Sequence, residues 1–289
     1  MKYEGALYRP PSESQSLLVQ VTLGCSWGRC TFCDMYRGID FKVRPLSAIK
    51  ADILEGTAYR FKRVFLCDGD ALSAPQTLLV DVLSFIRDKA PAIERVGLYA
   101  DARSILRKKP HELAQLRSLG LGIIYHGIET GDDTTLKAVR KGSTAAQAVE
   151  AGKRVRDAGI LYSAIVLLGI AGRKRSLVHA RETARVLNEI QPDFVGVLTT
   201  MVIEGTPLCT QLDAGRFHLP SRLGLLEELQ CLLENLDLKK CLLTTRHSSN
   251  YLPLRVVFTY ERDAAVAHVA KVLANKDETV LKPDFLRNL

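Results

Sequence analysis

The chain has 289 residues, of which 47% are hydrophobic and 25% are charged, and this globular composition excludes a disordered, collagen-like or coiled-coil chain. The net charge of +8 suits an anionic ligand, RNA or simple solubility, and it does not choose among them. No apolar run reaches the roughly 18 residues of a membrane span. The first residues lack the pattern of a secretory signal, so we predict a cytoplasmic protein with no membrane span.

Strand-like and helix-like segments alternate along the first two thirds of the chain. Apolar or β-rich runs predict six strands, at residues 16–23, 63–66, 95–100, 121–128, 160–168 and 193–202. Helical spacing of apolar residues predicts five crossover helices, at residues 45–59, 74–89, 110–119, 144–158 and 176–190. This order predicts an α/β fold with a parallel sheet and right-handed crossovers, which a doubly wound sheet and an open barrel satisfy equally.

The pattern changes after residue 205. Helices are predicted at residues 223–236 and 263–274, with short β-like runs between them. We therefore predict two domains, a core over residues 1–205 and a mostly helical C-terminal extension over residues 206–289 that packs on the core.

Three of the seven cysteines lie within nine residues, directly after the first predicted strand. Cys25, Cys30 and Cys33 form the pattern C-x4-C-x2-C. Three thiolates this close can bind soft metals, and on a 4Fe–4S cube they would leave one iron open for a substrate or cofactor. A zinc site completed by a distant ligand and three structural thiols are the alternatives. An odd cysteine count without a signal peptide argues against a disulfide framework.

This segment resembles the cluster motif of the radical S-adenosylmethionine (SAM) superfamily. The usual spacing in that family is C-x3-C-x2-C, so the first gap of this chain is one residue longer. Phe32 matches the aromatic position of the family, which packs near the adenine of SAM. The resemblance covers residues 16 to about 205 and implies a partial (β/α)6 TIM-like barrel as the radical SAM core.

The end of the second predicted strand resembles another part of that family. Asp68, Gly69 and Asp70 stand where the family has a GGE-like stretch, which implies that they bind the amino group of SAM. A polar turn that caps the next helix is the alternative reading of these three residues.

Two further strand ends carry stretches similar to family motifs. Glu129 resembles the acid of a G-x-E-S-G stretch, which implies that it approaches the ribose or the methionyl end of SAM. Gly169 and Gly172 lie in a stretch that resembles the adenine-supporting stretch of the family, which implies that they support the adenine of SAM. All these candidates follow the carboxyl ends of predicted strands, where parallel barrels carry their reactive groups.

The extension contains a dense polar run at residues 247–251, His-Ser-Ser-Asn-Tyr. It is similar to an H-A-S-N-Y stretch in one group of small radical SAM proteins, which implies a lid or a substrate contact by His247 or Asn250 above the cluster. A turn bonded to the backbone is the alternative.

His126, His179 and the cysteines outside the motif are predicted to be structural. His126 is expected in the core and His179 inside a helix. The spacing of Cys209, Cys231 and Cys241 matches no cluster-binding run, so we expect a single cluster.

The resemblance implies an enzyme with a 4Fe–4S cluster and SAM as cofactors. One electron from an external flavodoxin- or ferredoxin-like reductant would cleave SAM to methionine and a 5′-deoxyadenosyl radical, which abstracts hydrogen from an unidentified substrate. The alternatives are an RNA- or tRNA-modifying member of the family and a non-catalytic iron–sulfur or zinc-binding protein. The basic clusters lack interleaved aromatic residues, so a nucleic-acid groove is not indicated.

Overall fold

The structure, a computed structural model, describes residues 3–276 and 278–288. The strands are β1 (Leu17–Gln20), β2 (Thr22–Leu23), β3 (Lys42–Val43), β4 (Arg63–Cys67), β5 (Arg95–Ala100), β6 (Leu121–Glu129), β7 (Leu161–Leu168), β8 (Phe194–Thr199), β9 (Cys241–Thr244) and β10 (Arg255–Phe258). The α-helices are α1 (Leu46–Gly56), α2 (Gln76–Lys89), α3 (Ala102–Arg107), α4 (Pro110–Ser118), α5 (Asp133–Ala138), α6 (Ala145–Asp157), α7 (Gly172–Ile190), α8 (Pro207–Asp213), α9 (Arg222–Asn235) and α10 (Arg262–Asn275).

The main sheet has the strand order β1-β4-β5-β6-β7-β8-β9-β10. Adjacent pairs from β1 to β6 and from β7 to β9 run parallel where their register is defined. Six of these strands, β1 and β4 to β8, lie side by side in chain order and are separated in the chain by helices. This confirms the predicted α/β class and the topology of a partial (β/α)6 barrel. The alternation of apolar segments predicts this order because a parallel pair needs a crossover.

The C-terminal extension adds two strands to this sheet. Strand β9 pairs parallel with β8, and β10 pairs antiparallel with β9. The helices α8, α9 and α10 account for most of the remaining regular structure after residue 205. The predicted domain boundary at residue 205 stays a prediction.

The chain divides into two compact units. The first comprises the chain up to Gly28, Met35–His126 and Ala151–Tyr162, and the second comprises Arg29–Asp34, Gly127–Glu150 and the chain from Ser163 onward. Each unit is built around buried aliphatic side chains of its strands and of the helices that cover them.

The first unit contains a buried carboxylate among aromatic rings. Glu13 accepts a 2.5 Å hydrogen bond from Arg95 and a 2.6 Å bond from the hydroxyl of Tyr125. The rings of Phe65 and Tyr99 pack edge to face, with centroids 5.0 Å apart. Glu13, which precedes β1, thus pairs with Arg95 of β5 beside aromatic rings of the strands, and the pairing offsets the cost of burying Glu13.

Four short elements, α3, α5, α8 and β3, are absent from the sequence prediction, because segments of two to seven residues carry no clear periodicity. Helix α7 begins at Gly172, four residues before its predicted start. In the part of the chain that the structure describes, no helix is both long enough and apolar enough to cross a membrane.

Candidate functional site

The first motif cysteine lies in the first unit, beside the segment that follows β4. A β carbon on Gly69 would come within 3.0 Å of the β carbon of Cys25 and within 2.7 Å of the ring of Tyr36. Only a residue without a side chain fits between these two neighbours. Gly69 therefore sets the close approach of the cysteine loop to the end of β4.

Asp68 immediately follows β4 and is buried. One of its carboxylate oxygens accepts bonds of 3.2 Å from the side chain of Gln20 and from the amide of Gly24. The other oxygen, Oδ1, is buried and has no hydrogen-bond partner among the described residues. Burial raises the pKa of Asp68 to about 6, although the bonds from Gln20 and Gly24 lower it. Oδ1 of Asp68 is therefore available to accept a hydrogen bond from a ligand. The site is buried, and an unpaired charge there is costly.

Tyr36 presents a second buried polar atom in this unit. Its ring packs edge to face against Tyr8, and its hydroxyl, like Oδ1 of Asp68, has no hydrogen-bond partner in the described chain. Burial and the nearby charge of Asp68 raise the pKa of Tyr36, so it stays a neutral donor and acceptor. The sequence prediction did not include Tyr36, which lies three residues after the last motif cysteine.

Asp70 is fully buried and holds the cysteine loop. Ser26, the residue after Cys25, donates to one carboxylate oxygen, and the amide of Asp101 donates to the other at 3.4 Å. Burial and the charge of Asp101 raise the pKa of Asp70 to about 6. Both oxygens of Asp70 are engaged within the chain, whereas Oδ1 of Asp68 has no partner among the described residues.

The same loop has an aromatic anchor. The guanidinium of Arg103, on α3, lies 4.2 Å from the ring centroid of Trp27 and also pairs with Asp101. Stacking of a guanidinium on indole is favourable. Trp27 was not predicted as a site residue, and its position between two motif cysteines is the signal that could have indicated it.

The second unit contains the last two motif cysteines and the aromatic residue between them. Phe32 packs against Val139 and Ile170 in a small apolar cluster. The amide of Thr31 donates a 3.0 Å bond to Val139, and its carbonyl accepts a 2.9 Å bond from Leu208. The predicted aromatic position thus lies beside the Gly169–Gly172 stretch, since Ile170 belongs to that stretch.

Glu129 ends β6 in a left-handed conformation, with φ 61°. Its carboxylate accepts a 2.8 Å bond from Lys141, and both side chains are nearly buried. A β carbon on Gly127 would come within 2.3 Å of the Glu129 carboxylate, so the glycine leaves the space that this ion pair occupies. A left-handed conformation at a non-glycine residue is costly, and it is a feature of functional sites.

Gly169 and Gly172 flank the turn between β7 and α7. Both have positive φ, 81° and 67°, so the pattern of two glycines is required by the backbone itself. The amide of Gly169 donates a 2.6 Å bond to the buried carboxylate of Glu228 on α9. Glu228 was not predicted, because it lies 59 residues further along the chain.

The polar run of the extension lies at the carboxyl end of β8. Asn250 accepts a 2.8 Å bond from the hydroxyl of Thr199 and donates bonds to the carbonyls of Val197 (2.7 Å) and Thr245 (2.8 Å). Its side chain therefore clamps the end of β8 to the chain after β9. The substrate contact proposed for Asn250 stays a prediction, and these bonds favour the alternative of a structural turn.

His247 is half-buried and bonded within the same run. Its Nδ1 lies 2.9 Å from the hydroxyl of Ser249, which in turn accepts a 3.1 Å bond from the amide of Thr199. Burial, and to a smaller extent the charge of Lys282, lowers the pKa of His247. The neutral ring is therefore the favoured form, and the predicted substrate contact of His247 stays a prediction.

None of the three motif cysteines forms a disulfide bond within the described residues, and all three are partly exposed. Across residues 3–276 and 278–288, no three or more His, Cys, Asp or Glu side chains are grouped as they would be around a metal ion. The donor set itself fits an iron–sulfur cluster, since thiolates are its ligands. The orphaned Oδ1 of Asp68 likewise fits a bound amino group.

Comparison with family models decides the assignment. The model of the radical SAM superfamily matches residues 19–187, more than half of the chain. The chain belongs to the radical SAM superfamily. This confirms the predicted family and an enzyme as the class of protein, with a 4Fe–4S cluster and SAM as the cofactors of that class.

Solved structures share the fold at low sequence identity, among them radical SAM enzymes. Coproporphyrinogen III oxidase from Escherichia coli, a radical SAM enzyme, has a TM-score of 0.56 and 15% identity over 76% of this chain and 52% of its own. The Elp3 protein of Methanocaldococcus infernus has 0.54 and 14% over 91% of this chain and 64% of its own. The radical SAM methyltransferase TsrM of Kitasatospora setae has 0.54 and 17% over 66% and 38%.

This radical SAM protein spans 38% to 64% of the lengths of these three structures. A comparison with curated protein sequences found no match. The likeness to solved structures therefore concerns the fold, and the reaction has to be argued from the residues.

Proposed function

We propose that this chain binds a 4Fe–4S cluster through Cys25, Cys30 and Cys33 and uses it to cleave SAM reductively. The cluster and SAM, bound together, would supply a 5′-deoxyadenosyl radical that abstracts a hydrogen atom from a substrate. The proposal fits the spacing of the three partly exposed motif cysteines and the family to which the chain belongs.

The observation that carries the proposal is the free oxygen of Asp68. A buried carboxylate oxygen without a partner is costly, and Oδ1 of Asp68 is such an atom among the described residues. The amino group of SAM would give it the donor that it lacks. The nearby hydroxyl of Tyr36 is the second candidate acceptor for that group.

Other residues of the chain would orient SAM and the cysteine loop. Asp70 holds the loop through Ser26. Glu129, with one oxygen bonded to Lys141, would accept hydrogen bonds from the ribose or the methionyl end. Phe32 and the turn from Gly169 to Gly172 would bound the adenine on an apolar side, since Phe32 packs against Ile170 of that turn.

The remaining requirement is an electron, which radical SAM enzymes receive from an external donor. We propose a flavodoxin- or ferredoxin-like protein in this role. Net charge alone motivated the RNA-modifying alternative. We therefore propose a radical SAM enzyme without assigning its substrate.

The test is anaerobic reconstitution with iron and sulfide, followed by an assay for 5′-deoxyadenosine after chemical reduction in the presence of SAM. We expect about four irons per chain, the content of one cube, and formation of 5′-deoxyadenosine. Cys30→Ser should lose both, whereas Cys209→Ser, a matched change outside the motif, should keep both. Equal iron content in the two variants would contradict the assignment of the ligands.

A further inference from the structure

A buried carboxylate of the extension reaches the turn that follows β7. Glu228 lies on α9 and is 0% exposed. One of its oxygens accepts the 2.6 Å bond from the amide of Gly169, and the other accepts a bond from the hydroxyl of Ser176 on α7. A buried carboxylate needs such donors because an unpaired buried charge is expensive. Glu228 therefore fixes the first residue of this turn.

His179 connects the same carboxylate to the loop after β6. Its Nε2 lies 3.3 Å from Oε1 of Glu228, without the alignment of a hydrogen bond. Its Nδ1 lies 2.7 Å from the hydroxyl of Thr130. One turn later on α7, the hydroxyl of Thr183 accepts a 2.9 Å bond from the amide of Gly131. Helix α7 thus contacts both loops through buried polar groups.

The extension also packs tightly on the turn after β7. A β carbon on Gly169 would come within 2.9 Å of Leu225, and one on Gly172 within 3.1 Å of Phe217. The amide of Arg173 donates a 2.7 Å bond to the carbonyl of His218. Close packing of this kind restricts the turn to one conformation. A shift of α9 would therefore move the turn with it.

We propose that Glu228 and His179 form a positioning pair that couples the β6 loop (residues 129–132) to the β7 turn (residues 169–172). This inference rests on the proposed function, since it takes Glu129 and the β7 turn as parts of the SAM site. Neither member of the pair contacts SAM. They act through Thr130 and Gly169, and they give α9 of the extension a role in the geometry of cofactor binding.

The test compares variants at position 228 in two measurements. Glu228→Leu removes the acceptor for Gly169 at similar size, and Glu228→Gln retains an amide oxygen that can accept the same bond. Glu227→Gln, at the exposed neighbouring position, is the matched control for charge. Leu232→Ala, at a buried position of α9, is the control for lost stability without a change at either loop.

The first measurement is hydrogen–deuterium exchange of peptides that cover the β6 loop and the β7 turn, in protein without cofactors. We expect Glu228→Leu to speed exchange by about tenfold in both, the effect of losing a hydrogen bond to a charged group. Glu228→Gln should restore most of the protection. Faster exchange confined to the β7 turn would overturn the coupling.

The second measurement is the affinity of the reconstituted, oxidised protein for SAM by anaerobic isothermal titration. We expect Glu228→Leu to weaken binding by about tenfold, Glu228→Gln to restore it, and both controls to bind like the original chain. Unchanged affinity in Glu228→Leu would overturn the positioning role. If the original chain itself does not bind SAM, the proposed function fails, and the exchange measurement still decides the coupling.

Discussion

Gly69 lies against the ring of Tyr36 so closely that a β carbon at position 69 would come within 2.7 Å of it. The same β carbon would come within 3.0 Å of Cys25. The glycine thus sets the spacing between the cysteine loop and the end of β4, where the sequence predicts contacts with SAM.

The first prediction follows from this contact. Gly69→Ala should lower the free energy of unfolding by about 1–3 kcal/mol, the usual cost of overpacking, and should reduce cluster content because it displaces Cys25. Urea unfolding and iron analysis measure the two effects. Gly196→Ala is the matched control, since its nearest neighbour would be 3.9 Å away. Full cluster content in Gly69→Ala would show that this spacing does not matter for the cluster.

The second prediction separates the two aspartates. Asp68→Ala should weaken SAM binding by about 1.5–3 kcal/mol, the value of a hydrogen bond to a charged group, and leave the cluster in place. Asp70→Ala should instead reduce cluster content, because Ser26 loses the carboxylate that holds the loop. Anaerobic titration with SAM and iron analysis distinguish these outcomes. Equal effects of both changes on both measurements would refute the division of roles.

The third prediction concerns pH. The pKa of Asp68 in the folded chain is raised to about 6, above the ordinary value near 4 of an unfolded chain. Between these values the folded state binds more protons than the unfolded state, so this group makes stability fall as pH rises through that window. Asp68→Asn removes this pH-dependent loss of stability. Between pH 4 and pH 7 the free energy of unfolding of the variant should therefore rise by up to about 3 kcal/mol relative to that of the original chain. Urea unfolding of cluster-free protein across this range measures the difference, and a constant difference would contradict the raised pKa.

The fourth prediction concerns the ion pair at the end of β6. Lys141→Met leaves the nearly buried carboxylate of Glu129 without this partner and should lower the free energy of unfolding by about 3 kcal/mol. Lys137→Met, at an exposed position of α5, should change it little. Thermal or urea unfolding at neutral pH provides the comparison. If both variants are equally stable, the ion pair contributes nothing to the β6 loop.

The fifth prediction concerns the polar run of the extension. Asn250→Ala removes three hydrogen bonds at the end of β8 and should lower the free energy of unfolding by about 3 kcal/mol, at roughly 1 kcal/mol for each bond. His247→Ala should keep the cluster and SAM binding and change the amount of 5′-deoxyadenosine released without substrate. Arg246→Ala, at the exposed neighbouring position, is the control. Unchanged release in His247→Ala would leave His247 with a structural role.

The sequence by itself determined the order of strands and helices. Apolar periodicity is local, so each core strand was predicted to within a few residues, for example 63–66 against Arg63–Cys67 for β4. The cysteine motif and the glycines of the β7 turn could also be recognised from the sequence. In each group the residues lie close together in the chain, so their spacing alone identifies the motif.

Only the tertiary structure decided which side chains support those motifs. Gly169 and Glu228 are 59 residues apart, and Ser26 and Asp70 are 44 apart. No periodicity connects such pairs, because they meet only when strand ends and covering helices pack together. The structure also distinguished Asp68, with a free oxygen, from Asp70, with both oxygens bonded, because burial and hydrogen bonding are set by the whole fold and not by the Asp-Gly-Asp sequence that the two residues share.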